Sequence, residues 1–193
     1  MEKGFTKEQG RALVQLARNT IQENLGVKAP VNPALASALK DEAFKAKTGT
    51  FVTLTIGKEL RGCIGSLEGR EPIIDGVKHN ALNAAFHDPR FSPLSKKELD
   101  KTHIEVSILT EPAPLEYSNA DNLLKKLRPG IDGVIIRYEY AGATFLPQVW
   151  EQLPKKDDFL SHLCMKAGLP SDAWKRSKLE VQTYQVQYFE EGQ

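Results

Sequence analysis

The residue types that could carry chemistry are concentrated in one short stretch, Leu60–Gly65, which reads LRGCIG. Arg61 and Cys63 are two positions apart, and side chains two apart on a strand point to the same face of a sheet. A guanidinium close to a thiol favours the thiolate, which is the nucleophilic form of cysteine. Cys63 is therefore a candidate catalytic nucleophile, with Arg61 or Arg90 as the residue that stabilises negative charge.

The same stretch also fits a packing role for Cys63. Free cysteine is among the most frequently buried residues and behaves as a small hydrophobic side chain. Glycine on both sides of Cys63 indicates a strand that another backbone approaches closely. We favour this packing interpretation, and we expect the later segment DPRF to be the one that approaches the glycines.

Arg61, Asp88, Arg90 and Gln148 are the candidates for binding a ligand. Asp88 and Arg90 belong to DPRF, where the proline fixes the backbone and restricts the residue before it, so this loop is rigid. Rigid loops on a scaffold often carry binding groups. The alternative is a salt bridge from Asp88 to Arg61 or Arg90 that fastens the loop to the sheet. Gln148 lies in FLPQVW, which also fits an edge strand anchored by one aromatic residue.

The sequence contains no recognisable pattern of metal ligands or of cofactor binding. HExxH and paired CxxC motifs are absent, as is a P-loop. His79 and His87 are separated by ~12 Å along a predicted helix, so they cannot chelate one ion together. We therefore predict neither a metal nor a cofactor.

Length and charge narrow the function classes further. The 193 residues carry a formal net charge of +1, whereas nucleic-acid and membrane-surface proteins show a basic excess. No apolar run approaches the ~18 residues of a membrane span, and the first residues lack the apolar core of a signal peptide. Two cysteines, Cys63 and Cys164, form no disulfide framework, so a location in the reducing cytoplasm is expected.

Patterns of apolar residues predict mixed helices and hairpin strands. A capping box opens a helix over residues 6–25, and residues 50–56 alternate as a strand that pairs with 60–65. A helix over 72–87 carries a stripe of alanines that should pack against residues 52, 54 and 56, and 103–109 forms another strand. This order indicates an α+β fold with a mainly antiparallel sheet and packed helices.

The proline-containing stretch EPAPLEYSN divides the chain into two predicted lobes. The larger lobe covers about 1–111 together with 179–193, and the smaller α+β lobe covers about 112–178. Within the smaller lobe we expect a hairpin of strands 133–140 and 143–146, which turns at Ala141-Gly142. A single long strand over 179–189 is predicted to return to the larger lobe.

Three stretches together resemble the AMMECR domain family: LRGCIG at 60–65, DPRFSPL at 88–94 and FLPQVW at 145–150. The resemblance extends from residue 5 to residue 189 and is closest to the prokaryotic type called AmmeMemoRadiSam system protein A. It implies a two-lobed α+β protein that forms one domain over residues 1–193. It brings no established catalytic residues, because no activity is settled for the family.

The resemblance implies a shared pathway with a Memo-type, dioxygenase-like protein and a radical S-adenosylmethionine (radical SAM) protein. The leading hypothesis is an accessory or substrate-handling component that binds a small ligand or a partner segment in a cleft between the lobes. The competing hypothesis is an enzyme with Cys63 as nucleophile and Arg61 or Arg90 as charge stabilisers. An RNA- or nucleotide-binding module is a weaker third alternative.

Overall fold

The computed structural model describes residues 4–29 and 32–192. The chain divides into two compact units, of which the first runs to Leu109 and resumes at Gln187, while the second is Thr110–Val186. Each unit has its own four-stranded sheet and its own hydrophobic core within the described residues. The α+β class predicted from the sequence is confirmed.

The regular elements alternate irregularly along the chain. The α-helices of the described residues are α1 (Lys7–Asn24), α2 (Pro33–Ala38), α3 (Ile73–Leu82), α4 (Lys96–Leu99), α5 (Ala120–Lys126), α6 (Lys156–Lys166) and α7 (Ala173–Arg176). Short 3₁₀ helices cover Glu42–Lys45 and Pro147–Glu151.

The strands form two sheets. They are β1 (Thr50–Ile56), β2 (Glu59–Ser66), β3 (Thr102–Leu109), β4 (Ala113–Pro114), β5 (Gly133–Tyr138), β6 (Ala141–Phe145), β7 (Glu180–Tyr184) and β8 (Val186–Glu190). The first sheet has the order β2-β1-β3-β8, and the second has the order β4-β7-β5-β6. The strand that carries LRGCIG, β2, is therefore an edge strand.

Helices α1 and α3 belong to the core of the first unit. The capping box predicted at Thr6 is confirmed, because Thr6 Oγ1 accepts the N–H of Gln9 and the Gln9 side chain accepts the N–H of Thr6. Val52 and Leu54 of β1 are fully buried in the same cluster as Ala81. The alternation of β1 thus presents Val52 and Leu54 to this core as predicted, whereas Ile56 at the end of the strand is only partly buried and lies outside the cluster. Among the described residues, no helix combines the length and apolar character needed to cross a bilayer.

The helix predicted over 72–87 changes its geometry before it ends. Residues Asn83–His87 form a π-helical turn, a wider winding that is frequent at functional sites. Within this turn, the carbonyl of Ala84 presses against Gly62, where an added Cβ would lie 2.1 Å from the carbonyl oxygen. The expectation that the DPRF loop approaches the glycines is therefore wrong: Gly62 accommodates the end of the helix, and a Cβ at Gly65 would meet Phe51 and Thr50 of β1.

In the second unit, the predicted hairpin forms with a different turn. Tyr138 pairs with Ala141, so the two-residue turn is Glu139-Tyr140 rather than Ala141-Gly142. Glu139 adopts a positive φ of 53°, which this tight turn requires. In this register Val134 lies opposite Phe145, and Val134, Ile135 and Ile136 of β5 are buried. The burial of these residues decides the register, although Gly142 is the stronger local turn signal.

The predicted closing strand over 179–189 is also wrong, because it is two strands in different sheets. β7 pairs with β4 and β5 in the second sheet, whereas β8 lies beside β3 in the first. The break falls at Gln185, whose N–H is accepted by Thr110 Oγ1. Residues 179–186 consequently belong to the second unit rather than to the larger lobe.

We expect Gly62→Ala to destabilise the protein, because the new Cβ would meet the backbone of Ala84 at 2.1 Å. Overpacking of this kind costs about 1–3 kcal/mol, which corresponds to a decrease in Tm of roughly 3–9 °C for a chain of this size. Calorimetry of the purified variant measures this decrease.

The matched control is Gly142→Ala on the edge strand β6, where the nearest atom would lie 3.3 Å away. The carbonyl of Ile136 has to shift by only a few tenths of an ångström there, so the Tm should fall much less than in Gly62→Ala. Equal values of Tm for the two variants would show that Ala84 does not press against Gly62.

Candidate site at the edge of the first sheet

The carboxylate of Asp88 lies at the centre of the candidate site. Asp88 is the first residue after the π-helical turn, and its side chain is only 1% exposed. It accepts the backbone N–H of Cys63 at 2.9 Å and the backbone N–H of Arg90 at 3.1 Å. The guanidinium of Arg90 adds two bonds, from Nε at 2.9 Å and from Nη2 at 2.7 Å. The buried charge is thus surrounded by donors, as such a charge requires.

The side chains of Asp88 and Arg90 take the place that a further strand would occupy beside β2. Cys63 lies opposite Thr53 of β1, and its N–H and C=O point away from β1 toward the outer edge of the sheet. Asp88 accepts the N–H, and Arg90 Nη2 donates to the C=O at 3.1 Å. The edge strand is closed at this residue by an ion pair instead of a neighbouring backbone.

Arg61 is fastened to a different carboxylate, which sequence analysis did not assign to the site. Its Nε donates to Glu98 Oε1 at 2.9 Å, and its Nη2 donates to the carbonyl of Ser92 at 2.8 Å. Glu98 also accepts the N–H and hydroxyl of Ser95 as part of the capping box of α4. The Ser95-x-x-Glu98 spacing is typical of a helix start, and it gives no indication of the second acceptor role of Glu98.

The aromatic ring of Phe91 lies close to both guanidinium groups. The Cζ atom of Arg61 is 5.8 Å from the ring centroid, and that of Arg90 is 5.5 Å away. These distances are within the range of cation–π attraction. These side chains form one connected set, which we call the Asp88–Glu98 clamp. It consists of Asp88, Arg90, Phe91 and Glu98 together with Arg61 of β2.

The thiol of Cys63 is half-buried and contacts a hydroxyl group. Thr53 Oγ1 donates to Cys63 Sγ at 3.3 Å. The guanidinium of Arg61 bonds to Glu98 and that of Arg90 bonds to Asp88, so both neighbouring cations already have carboxylate partners. The other cysteine, Cys164, is fully buried in the second unit, and this burial raises the pKa of its thiol.

The face of the first sheet that carries Cys63 continues with polar residues. Glu105 of β3 lies opposite Thr53, and its carboxylate accepts the Ser107 hydroxyl at 3.2 Å. Burial raises the pKa of Glu105, partly offset by the Ser107 hydrogen bond, and nearby Glu190 raises it further. Sequence analysis did not single out Glu105, although the alternation of the apolar residues in β3 already placed it on this face.

Gln148 belongs to the second unit, whereas the residues of the clamp belong to the first. It lies on the short helix Pro147–Glu151 with an exposed side chain that makes no hydrogen bond to the described residues. The neighbouring Trp150 is buried, and its Nε1 donates to the carbonyl of Asp132 at 2.7 Å. Trp150 therefore has the anchoring role that was the alternative for this motif. Among the described residues, no three acidic, histidine or cysteine side chains are grouped as metal ligands.

Hydrogen bonds to the arginines control the charge of both carboxylates in the clamp. The guanidinium of Arg90 holds the pKa of Asp88 well below its usual range, against the opposing effect of burial. Arg61 lowers the pKa of Glu98 from 4.5 to about 2, with help from the N–H and hydroxyl of Ser95. Both carboxylates consequently stay ionised far into the acidic range.

Comparison with known proteins establishes the family. The AMMECR1 family model matches residues 14–189, and the chain belongs to this family. A protein of Methanothermobacter thermautotrophicus is 39% identical, with 97% of this chain and 96% of that protein covered. Protein MJ0810 of Methanocaldococcus jannaschii is 38% identical, with 97% and 92% covered.

A crystal structure from Pyrococcus horikoshii has a similar fold. Uncharacterized protein PH0010 superimposes with a TM-score of 0.82 and 32% sequence identity, covering 97% of this chain and 94% of that one. None of these names specifies an activity. The comparisons therefore define the family and the fold, and the reaction or ligand has to be argued from the site.

The shift of Glu98 predicts a measurable dependence of stability on pH. Because its pKa is lowered in the folded protein from 4.5 to about 2, its contribution is complete above pH 4.5 and is lost as the pH falls through that interval. Glu98→Gln should flatten the decline of the unfolding free energy across this range. Glutamine can still cap α4, so the change isolates the ion pair with Arg61.

Denaturant unfolding at several pH values measures this slope. The control is Glu59→Gln, since Glu59 is exposed on the same strand as Arg61 and makes no ion pair within the described residues. This control should retain the slope of the unaltered protein. An unchanged slope in Glu98→Gln would show that Arg61 does not lower the pKa of Glu98 in solution.

The surroundings of Cys63 predict slow alkylation in the native protein. Its neighbouring guanidinium groups are bonded to carboxylates, and its thiol is half-buried against Thr53. We expect iodoacetamide to label Cys63 more slowly in the native state than in the unfolded chain at neutral pH. Mass spectrometry follows the labelling, and Cys63→Ala provides the background from Cys164. Native labelling that is faster than unfolded labelling would contradict the packing role and favour a nucleophile.

Proposed function

We propose that this protein is a cytoplasmic accessory or substrate-handling component of the AmmeMemoRadiSam type. Its partners are a Memo-type, dioxygenase-like protein and a radical SAM protein, and it binds a small ligand or a partner segment on the surface around Cys63. Membership of the AMMECR1 family supports the proposal, since the sequence motifs resemble the type that shares this pathway.

One observation carries the binding role: the clamp is rigid and internally neutralised, yet it leaves Arg90 on the surface. The Asp88 side chain is 1% exposed, whereas that of Arg90 is 53% exposed. The ion pair with Asp88 and the hydrogen bond to the Cys63 carbonyl hold the Arg90 guanidinium at the edge of the sheet, so no ligand is needed to order it. Preorganised groups of this kind bind with a smaller entropic cost than mobile ones.

The competing function is an enzyme with Cys63 as its nucleophile. The half-buried state of Cys63 favours it, because the thiol is not sealed from solvent as Cys164 is. However, a cysteine nucleophile is normally activated by a base or an uncompensated cation. The described contact of Sγ is the hydroxyl of Thr53, and Arg61 and Arg90 are both paired. These contacts favour binding over catalysis at Cys63.

The proposal is tested by co-expression with the Memo-type and radical SAM proteins from the same source. The unaltered chain should co-purify with at least one of them, and Arg90→Ala should reduce the recovered partner roughly tenfold or more, as expected for a central interface arginine. Failure of the unaltered chain to retain either partner would contradict the proposal.

The control for this experiment is Arg128→Ala in the second unit. Arg128 and Asp132 form a matched pair, with side chains 54% and 3% exposed, but they lie outside the clamp. Thermal unfolding of both variants separates loss of binding from loss of folding. If Arg128→Ala reduced co-purification as much as Arg90→Ala did, the effect could not be assigned to the clamp.

A further inference from the structure

The guanidinium groups of the clamp each have one nitrogen that the protein does not use. Arg90 bonds through Nε and Nη2 to Asp88 and Cys63, and Arg61 bonds through Nε and Nη2 to Glu98 and Ser92. Within the described part of the chain, neither Nη1 has a hydrogen-bond partner. Each Nη1 therefore retains two N–H donors.

The two guanidinium groups lie beside one aromatic ring. The Phe91 ring is 5.5 Å from Cζ of Arg90 and 5.8 Å from Cζ of Arg61, so both cations lie close to this one side chain. Arg90 is half-exposed, while the Arg61 side chain is 14% exposed. Among the described residues, Gln22 Oε1 is the side-chain nitrogen or oxygen atom that is both buried and without a hydrogen-bond partner. Nη1 of Arg61 also lacks a partner, so it is not fully buried and remains accessible to solvent.

The internal ion pairs fix the orientation of the unused donors. Asp88 and Glu98 hold the Nε and Nη2 edges, so the planar fork of each arginine cannot turn freely. The fork itself is occupied by these carboxylates, but each remaining Nη1 presents two N–H donors in a fixed direction to the oxygens of a carboxylate or phosphate group, whereas the donors of a lysine ammonium rotate. Because the charges of the clamp sum to zero, directed hydrogen bonds rather than net attraction would decide which group binds.

We propose that the Asp88–Glu98 clamp binds an oxyanion, a carboxylate or phosphate group, through Nη1 of Arg90, with Arg61 as the second cation beside the Phe91 ring. This inference rests on the proposed binding function and names the chemical class that the site recognises. The oxyanion belongs to the small ligand or partner segment, and binding requires no change in the internal ion pairs.

The test is an NMR titration of the isolated protein that follows the Nε–Hε signals of its arginines. Inorganic phosphate and acetate are added separately at constant ionic strength, with sodium chloride as the reference. We expect saturable shifts of the Arg90 and Arg61 signals with at least one of the two oxyanions and none with chloride. A response to phosphate alone assigns a phosphate group, and a response to acetate assigns a carboxylate.

Variants distinguish the oriented Nη1 donors from the charge of the side chain. Arg90→Lys preserves a cation for Asp88 but has no counterpart of Nη1, so we expect binding to weaken about tenfold. Phe91→Leu should weaken binding while leaving Asp88 paired. Arg128→Lys, in the matched pair of the second unit, should leave the affinity within about twofold of the unaltered protein, since its charge lies outside the clamp.

Absence of saturable shifts with both oxyanions would overturn the proposal, as would equal affinities for Arg90→Lys and the unaltered protein. The titration uses no partner protein, so its failure is separable from failure of the proposed function. A negative titration with intact co-purification removes the oxyanion assignment alone. A positive titration without co-purification removes the partner role and leaves the oxyanion site.

Discussion

The buried carboxylate of Asp88 is the group on which the surrounding structure depends. Out of water, its charge is tolerated only if donors surround it, and these come from Cys63 on β2 and from Arg90. The π-helical turn that precedes it aims the side chain at the edge strand, and Gly62 provides the space for that turn. One buried charge thus holds the end of a helix, a loop and a strand in fixed positions relative to one another.

The same arrangement of charge recurs in the second unit with a different purpose. Asp132 is buried and accepts the backbone N–H and the guanidinium of Arg128, which is about as exposed as Arg90. There the partner N–H belongs to the arginine itself, so the pair closes a local turn. In the first unit, Asp88 also accepts an N–H from a distant strand. The added long-range bond is what makes the first pair part of a surface site and not only of a loop.

Local patterns in the sequence account for much of the fold and for part of the site. The capping box at Thr6, the alternation of β1 and the pairing of Asp88 with an arginine all follow from neighbouring residues. The partnership of Arg61 with Glu98 could not be read in this way, because it joins segments 37 positions apart. The turn at Glu139 and the π-helical turn were missed because burial of distant residues, and not local propensity, decides them.

The closure of β2 by side chains also limits how another chain could pair with this edge of the sheet. An open edge strand offers unpaired N–H and C=O groups to any other chain, and charged residues at such an edge discourage aggregation. At Cys63 both backbone groups are already bonded to the side chains of Asp88 and Arg90. A strand from a second molecule could pair with Cys63 only by displacing the Asp88–Arg90 ion pair, which would leave the carboxylate of Asp88 buried without its partner. The clamp therefore blocks extension of the sheet at Cys63.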